Sequence, residues 1–263
     1  MLTKYAAAAI AAAILAAGPA FADPAVSKTN LKATALGGTA DIAGSDEGAW
    51  SAMGALTAPL GDKWGLQIEA GGGGIGGDGA FGAAAHAFRR DPDTYLAGLF
   101  VAYANMDDAD VSATRAGGEV EWYFEKLTLL AAAGYQSSDD LGDTAFGGVE
   151  LRVYATDDFA LSAGAAAQED ASYGRMGAEW RFAPSSMPGV ALRAEAALGE
   201  DDYSSVMGGL TVYFGEDATL KDRHRKQDPD SALFNMFQGL QAQGAGGGAP
   251  QTIQCFVQCV PLD

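Results

Sequence analysis

The chain has 263 residues, 48% of them apolar, enough for one barrel or sandwich domain with an appendage. Beyond its N-terminus no apolar run approaches the roughly 20 residues that a membrane helix needs, so a helical membrane protein is excluded. The formal net charge of -18, from 34 acidic and 16 basic residues, excludes nucleic acid as a partner, because a phosphate backbone is bound by Lys and Arg.

Residues 1–22 read as a cleaved signal peptide. Lys4 supplies the positive start, an Ala-rich apolar stretch follows, and Ala20-Phe21-Ala22 gives the small-x-small cleavage pattern before Asp23. The mature chain is expected to begin at Asp23. A lipid anchor is not expected, since Asp23 stands where a lipoprotein would have cysteine.

From about residue 30 to 215 the polarity alternates in segments of about ten residues separated by turn residues, the pattern of membrane barrels. In 64–70, Trp64, Leu66, Ile68 and Ala70 share one parity, and Gln67 and Glu69 share the other. Val120, Trp122 and Phe124 likewise oppose Glu119 and Glu121, and Leu151 and Val153 oppose Glu150 and Arg152. Trp180 opposes Glu179 and Arg181, and Leu192 opposes Arg193 and Glu195. Strands are predicted over 30–40, 48–58, 64–72, 81–90, 94–104, 113–124, 127–136, 144–155, 159–167, 172–182, 189–198 and 204–214. The fold class is therefore all-β: a closed antiparallel transmembrane β-barrel of about twelve strands over residues 23–215.

The inward parity predicts a lumen lined by Gln67, Glu69, Arg115, Glu119, Glu121, Glu150, Arg152, Arg175, Glu179, Arg181, Arg193 and Glu195, with opposite charges on nearby strands. Short connections are expected on the side of the termini. Those on the far side, near 41–47, 72–80, 105–112, 137–143, 168–172 and 199–203, carry acids and no Lys or Arg. Asp107, Asp108, Asp110, Asp139, Asp140 and Asp143 head this acidic outer rim. A soluble β-sandwich also alternates, but the signal peptide and the aromatic residues near strand ends, such as Trp50, Trp64, Trp122 and Trp180, favour a barrel with interfacial girdles.

The tail, 216–263, is expected in the periplasm. The interleaved charges of KDRHRK (221–226) read as a solvated linker. One short helix is predicted over 231–241, capped by Ser231, with Leu233, Phe234, Phe237 and Leu240 at helical spacing. It is expected to dock under the barrel or against a periplasmic partner. The oxidising compartment allows a bond between Cys255 and Cys259, but so small a loop would stabilise little. Two thiolates without a nearby His do not make a metal site, and no metal or other cofactor is expected.

The runs PLGDKWGLQIE (59–69), HAFRRDP (86–92) and VYFGEDATLKDRHRKQDP (212–229) resemble a family of porin-like outer-membrane β-barrels of alphaproteobacteria. The resemblance covers most of residues 45–229 and implies an outer-membrane location and a barrel fold. Members of that family mostly lack an assigned substrate. Outer-membrane lipid and the barrel-assembly machinery are the expected partners.

An enzyme is not expected. The only histidines are His86 and His224, and no GxSxG nucleophile elbow is present. GGGGIGG (71–77) lacks the Lys-Ser/Thr pair of a phosphate cradle. Two functions from different classes follow: a narrow channel for ions or small hydrophilic solutes, or a non-conducting structural barrel.

Overall fold

The computed structural model describes residues 23–106, 111–139, 141–168, 171–182, 189–215 and 217–245. The strands are β1 (Asn30–Ile42), β2 (Ser45–Leu60), β3 (Trp64–Ile75), β4 (Asp78–Asp91), β5 (Tyr95–Met106), β6 (Val111–Phe124), β7 (Leu127–Ser137), β8 (Thr144–Thr156), β9 (Phe159–Gln168), β10 (Ala171–Arg181), β11 (Gly189–Gly199) and β12 (Ser204–Phe214). Each pairs antiparallel with its sequence neighbour. β1 closes the barrel on β12, in register from Leu31 opposite Phe214 to Asp41 opposite Ser204.

The alternation anticipates twelve strands because the wall separates two environments of opposite polarity. Outside stands an apolar belt that includes Leu56, Ile68, Leu99, Val149, Leu151, Leu192 and Leu210, all exposed. A soluble protein does not present so continuous an apolar surface to water. Trp64, Trp122, Phe124, Trp180, Phe182 and Phe214 are exposed near the strand ends on the terminal side.

The far-side connections between β1 and β2 and between β3 and β4 are shorter than expected. Each is a two-residue turn, Ala43-Gly44 and Gly76-Gly77, with positive φ throughout. Such turns match the twist of antiparallel strands and let pairing run to the end. Asp41, Asp46, Glu47 and Asp78 therefore belong to strands and not to loops.

The tail does not extend away from the barrel. After β12 the chain turns at Gly215 and forms α1 (Leu220–Lys226) and α2 (Ala232–Ala245), so there are two helices where one was expected. Leu220 is buried with Tyr154, Ala160, Ala191 and Tyr213 of the inner wall. Leu233, Met236, Phe237 and Leu240 are buried with Ala84, Phe100, Ala102, Ala104, Val111 and Ala113. Ala242 and Ala245 pack with Tyr173 and Tyr203 near the far end of β10 and the β11–β12 connection. The tail thus threads the lumen from the terminal mouth toward the far one. Eight strands are filled by their own side chains, whereas twelve leave room for more. Residues 1–22, expected to form a signal peptide, and both cysteines lie outside the described residues.

Ile68 and Leu151 are 51% and 41% exposed on the outer face. Ile68→Arg or Leu151→Arg should each cost about 2–4 kcal/mol of assembly if the position lies near the bilayer midplane. Heat-modifiable mobility on gels should show a smaller folded fraction for both.

Candidate functional site

α1 closes the terminal mouth by binding the ends of the strands. Thr219 caps it, accepting from the Asp222 amide. The Leu220 amide donates to Asp158 Oδ1 at 3.1 Å, and the Lys221 amide to the Asp157 carbonyl at 2.9 Å. The Lys221 ammonium, 2.6 Å from Asp157 Oδ1, holds that carboxyl below the usual carboxylate range. Arg225 donates to the carbonyls of Phe124 and Leu127 at 2.6 and 2.8 Å and lies over the rings of Tyr123 and Tyr154. His224 stands 3.5 Å from Glu179 and 3.2 Å from the Tyr154 hydroxyl. Arg223, His224 and Arg225 are buried, which corrects the reading of 221–226 as a solvated linker. Turn carbonyls and an inward carboxylate need donors, and a guanidinium has five.

The N-terminal segment joins this closure. Ser27 donates its amide to the Lys226 carbonyl at 3.0 Å, and the Ala25 amide reaches the Asp62 carbonyl at 2.8 Å. Arg90, near the end of β4, is buried and donates to the Ala25 carbonyl at 3.3 Å.

Above α1 the tail meets the charged wall. Glu150, Gly164 and Arg175 form one row across β8, β9 and β10. With no side chain at Gly164 to intervene, Arg175 reaches Glu150 across the middle strand at 2.9 Å. A Cβ at Gly164 would lie 2.5 Å from the Val149 carbonyl oxygen. Asp230 enters beside this row: it takes a hydrogen bond from Arg152 at 3.0 Å, lies 3.9 Å from Arg175, and accepts from Asn235 at 3.0 Å. Arg152 also binds Glu150 at 2.8 Å. Asn235 accepts from Arg175. The Asp230 amide faces Glu121 at 3.4 Å, and Glu121 also accepts from the Tyr123 hydroxyl at 2.9 Å. Arg193 donates to Glu195 at 2.8 Å, lies 4.0 Å from Glu179 and covers the Phe234 ring. Arg181, at the mouth, pairs with Asp158 and Asp217.

Glu69 fixes where α2 begins. Its carboxylate accepts from Ser231 Oγ at 2.8 Å, the Leu233 amide at 3.1 Å and Gln67 at 2.6 Å. Ser231 Oγ in turn accepts from the Phe234 amide at 3.1 Å, the cap expected from the sequence. A carboxylate at a helix N-terminus satisfies amides that have no partner within the helix. The helix runs four residues past the expected end, to Ala245, because the inner wall supplies partners there. Gln243 accepts from Gln136 and Gln168 at 3.2 and 3.0 Å. Arg115 donates to Gln136 and Gln168 at 2.8 and 2.6 Å and passes close over Gly239, where a Cβ would lie 2.6 Å from its Nη2.

His86 bridges Glu69 and Glu119 at 3.0 and 2.9 Å. Ser231 and His86 thus meet on one carboxylate, the wrong order for a nucleophile, whose base must be the imidazole placed between serine and acid. This histidine holds the wall together.

Of the residues assigned to the lumen, Gln67, Glu69, Arg115, Glu119, Glu121, Glu150 and Glu179 are buried, and Arg152, Arg175, Arg181, Arg193 and Glu195 are partly so. Asp139 and Asp143 are exposed, with Ser137 donating to Asp143 at 2.8 Å. Asp107, Asp108, Asp110 and Asp140 lie outside the described residues. Sequence reasoning missed Asp230, Ser231, Asn235 and Gln243 as lumen residues. The helix offered no decisive signal, because Leu233, Phe234, Met236, Phe237 and Leu240 share one face and Asn235 and Gln238 lie on the other.

No family model matches the sequence, and no curated protein matches it. Solved structures do resemble the fold. The KdgM porin in complex with disordered oligogalacturonate superposes with a TM-score of 0.54 at 5% identity, covering 70% of this chain and 99% of that one. The NanC porin gives 0.51 at 9% identity, over 71% and 100%. The translocator domain of the autotransporter NalP from Neisseria meningitidis gives 0.51 at 11%, over 81% and 94%. What these share with the chain is the barrel of porins and other outer-membrane proteins. The alphaproteobacterial resemblance rests on the sequence runs quoted above.

Asp230→Ala removes the tail carboxylate from Arg152 and Asn235. Loss of charge-assisted bonds of this kind costs roughly 1.5–3 kcal/mol. Urea unfolding of vesicle-reconstituted protein, followed by tryptophan fluorescence, should show that loss, with a smaller one for Asp230→Asn.

Proposed function

We propose that the protein is a porin-like barrel of the outer membrane whose resting state is closed by its own residues 217–245, and that it passes ions or small hydrophilic solutes only when that segment leaves the lumen. The observation that carries this reading is the burial of α2 on nearly all sides within the barrel. Leu233, Phe234, Met236, Phe237 and Leu240 are all buried, each contributing about 1.5–3 kcal/mol to keeping the helix in place. Without α2, Glu69, Glu150, Arg152 and Arg175 would line a water path of intermediate width. The outer-membrane location is supported by the apolar belt, the expected signal peptide and the likeness to outer-membrane barrels. α1 sits in the mouth on the side of the termini, the side that the even strand count of bacterial barrels assigns to the periplasm.

The same apolar burial favours a second reading, a barrel that never opens and serves as a structural or interaction protein. Single-channel recording in planar bilayers separates the two. The full chain should be closed most of the time, and Leu233→Asp with Phe237→Asp should raise the open fraction at least tenfold. Silence from both proteins would favour the non-conducting reading. Steady conduction by the full chain would show that the lumen is not closed.

The open form should prefer cations, because the far mouth carries Asp41, Asp46, Glu47, Asp78, Asp139, Asp143, Glu200, Asp201 and Asp202, and no Lys or Arg among its described residues. That preference should weaken as salt shortens the Debye length from about 10 Å at 0.1 M to about 3 Å at 1 M. Neutralising Asp107, Asp108, Asp110, Asp139, Asp140 and Asp143 together should lower the cation-to-anion permeability ratio at low salt, read as a smaller reversal potential in a salt gradient.

A further inference from the structure

Between α2 and the far ends of β12 and β1 to β5 the lumen keeps a cavity of about 310 Å³. Its body is apolar, formed by Met106, Met207, Phe234, Phe237 and Leu240. Part of the wall comes from Gly73, which brings no side chain into the space. The GGGGIGG run thus helps to make a cavity rather than a phosphate cradle.

Two residues that line this cavity each carry an oxygen that has no hydrogen-bond partner among the described residues. Gln238 Oε1 and Ser51 Oγ are buried without a hydrogen bond, in residues only 5% and 8% exposed. A buried acceptor left unpaired costs about 1–3 kcal/mol, so a ligand that donates to it gains an advantage over one that cannot. The cavity is also acidic at its edge, where Glu47 and Asp78 stand, and no Lys or Arg is among the described residues that line it. This disfavours a carboxylate or phosphate head.

We infer that this cavity is a binding site for a small neutral amphiphile, an apolar body with one hydroxyl or similar donor directed at Gln238 and Ser51. Its volume is about twice the ~150 Å³ that holds benzene, which fits two fused rings or a medium-length alkyl chain. Pockets of this size with few convergent polar groups are typical ligand sites. The site shares with the closed-barrel reading the placement of α2, one of its walls. It does not need the barrel ever to open.

The probe is 2-naphthol, with naphthalene lacking the donor and 2-naphthoate carrying the disfavoured charge. Each is titrated into vesicles of neutral phosphatidylcholine holding the full chain, and saturable binding above that of protein-free vesicles is measured. 2-Naphthol should bind at one equivalent and about tenfold more tightly than naphthalene, and 2-naphthoate should not saturate. Gln238→Met should reduce the tenfold preference to near unity, and Ser51→Phe, which fills the cavity, should abolish binding. Folding of each variant is checked by heat-modifiable mobility. Should Ser51→Phe not fold, the loss of preference in Gln238→Met carries the decision. Equal saturable binding to Ser51→Phe and the unmodified chain, no preference for the donor, or no saturable binding at all would overturn the proposal. None of these readouts depends on conductance, so a failure here is distinct from a failure of the closed-channel reading.

Discussion

A charge on the inner wall of a narrow β-barrel must find a partner, and the rest of this structure follows from how that demand is met. The wall supplies part of the answer itself, through Glu150 with Arg175 and His86 between Glu69 and Glu119. Breaking such a buried pair is costly because a lone charge remains. Arg152 and Glu69 also bind the tail, at Asp230 and Ser231. Wall and tail are therefore one polar network, and neither is complete alone.

The network also explains the glycines that interrupt the strands. Gly164 lets two side chains on β8 and β10 meet over β9. Gly239 on α2 does the same for Arg115, which would otherwise press a guanidinium into a methyl group. Glycine weakens both strand and helix, so its presence at these points marks places where close approach outweighs local propensity.

What was legible in the sequence follows the same logic. Twelve strands could be counted because each changes environment from one residue to the next, as Ile68 and Glu69 do. Strand ends were less legible where pairing continued through acids. Asp41 and Asp46 face each other across β1 and β2, yet Asp and Gly together read as loop. Ser231 and the spacing of Leu233, Phe237 and Leu240 marked a helix, but a helix is equally consistent with a place beneath the barrel or inside it. The charges of 221–226 misled for a physical reason. Arg223 and Arg225 donate to the main-chain carbonyls of Phe124, Leu127 and Phe214, and a carbonyl leaves no trace in side-chain sequence.

The two halves of the tail are held by different forces, and this decides where it would yield. α1 is tied largely to main-chain groups and rim carboxylates: Lys221 to Asp157, Arg225 to two turn carbonyls, and Lys226 through its own carbonyl to Ser27. These bonds hold while the strands stay paired. α2 is held by side chains, five of them apolar, and by Glu69 and the Arg152–Asp230 pair at its start. Removing it from the lumen breaks no strand pairing, whereas removing α1 strips donors from the β6–β7 and β8–β9 turns. The segment between them, Gln227 to Ser231, includes Pro229 and lies outside both helices. Any opening that preserves the barrel should therefore turn about this segment, with α1 fixed in the terminal mouth and α2 as the moving part.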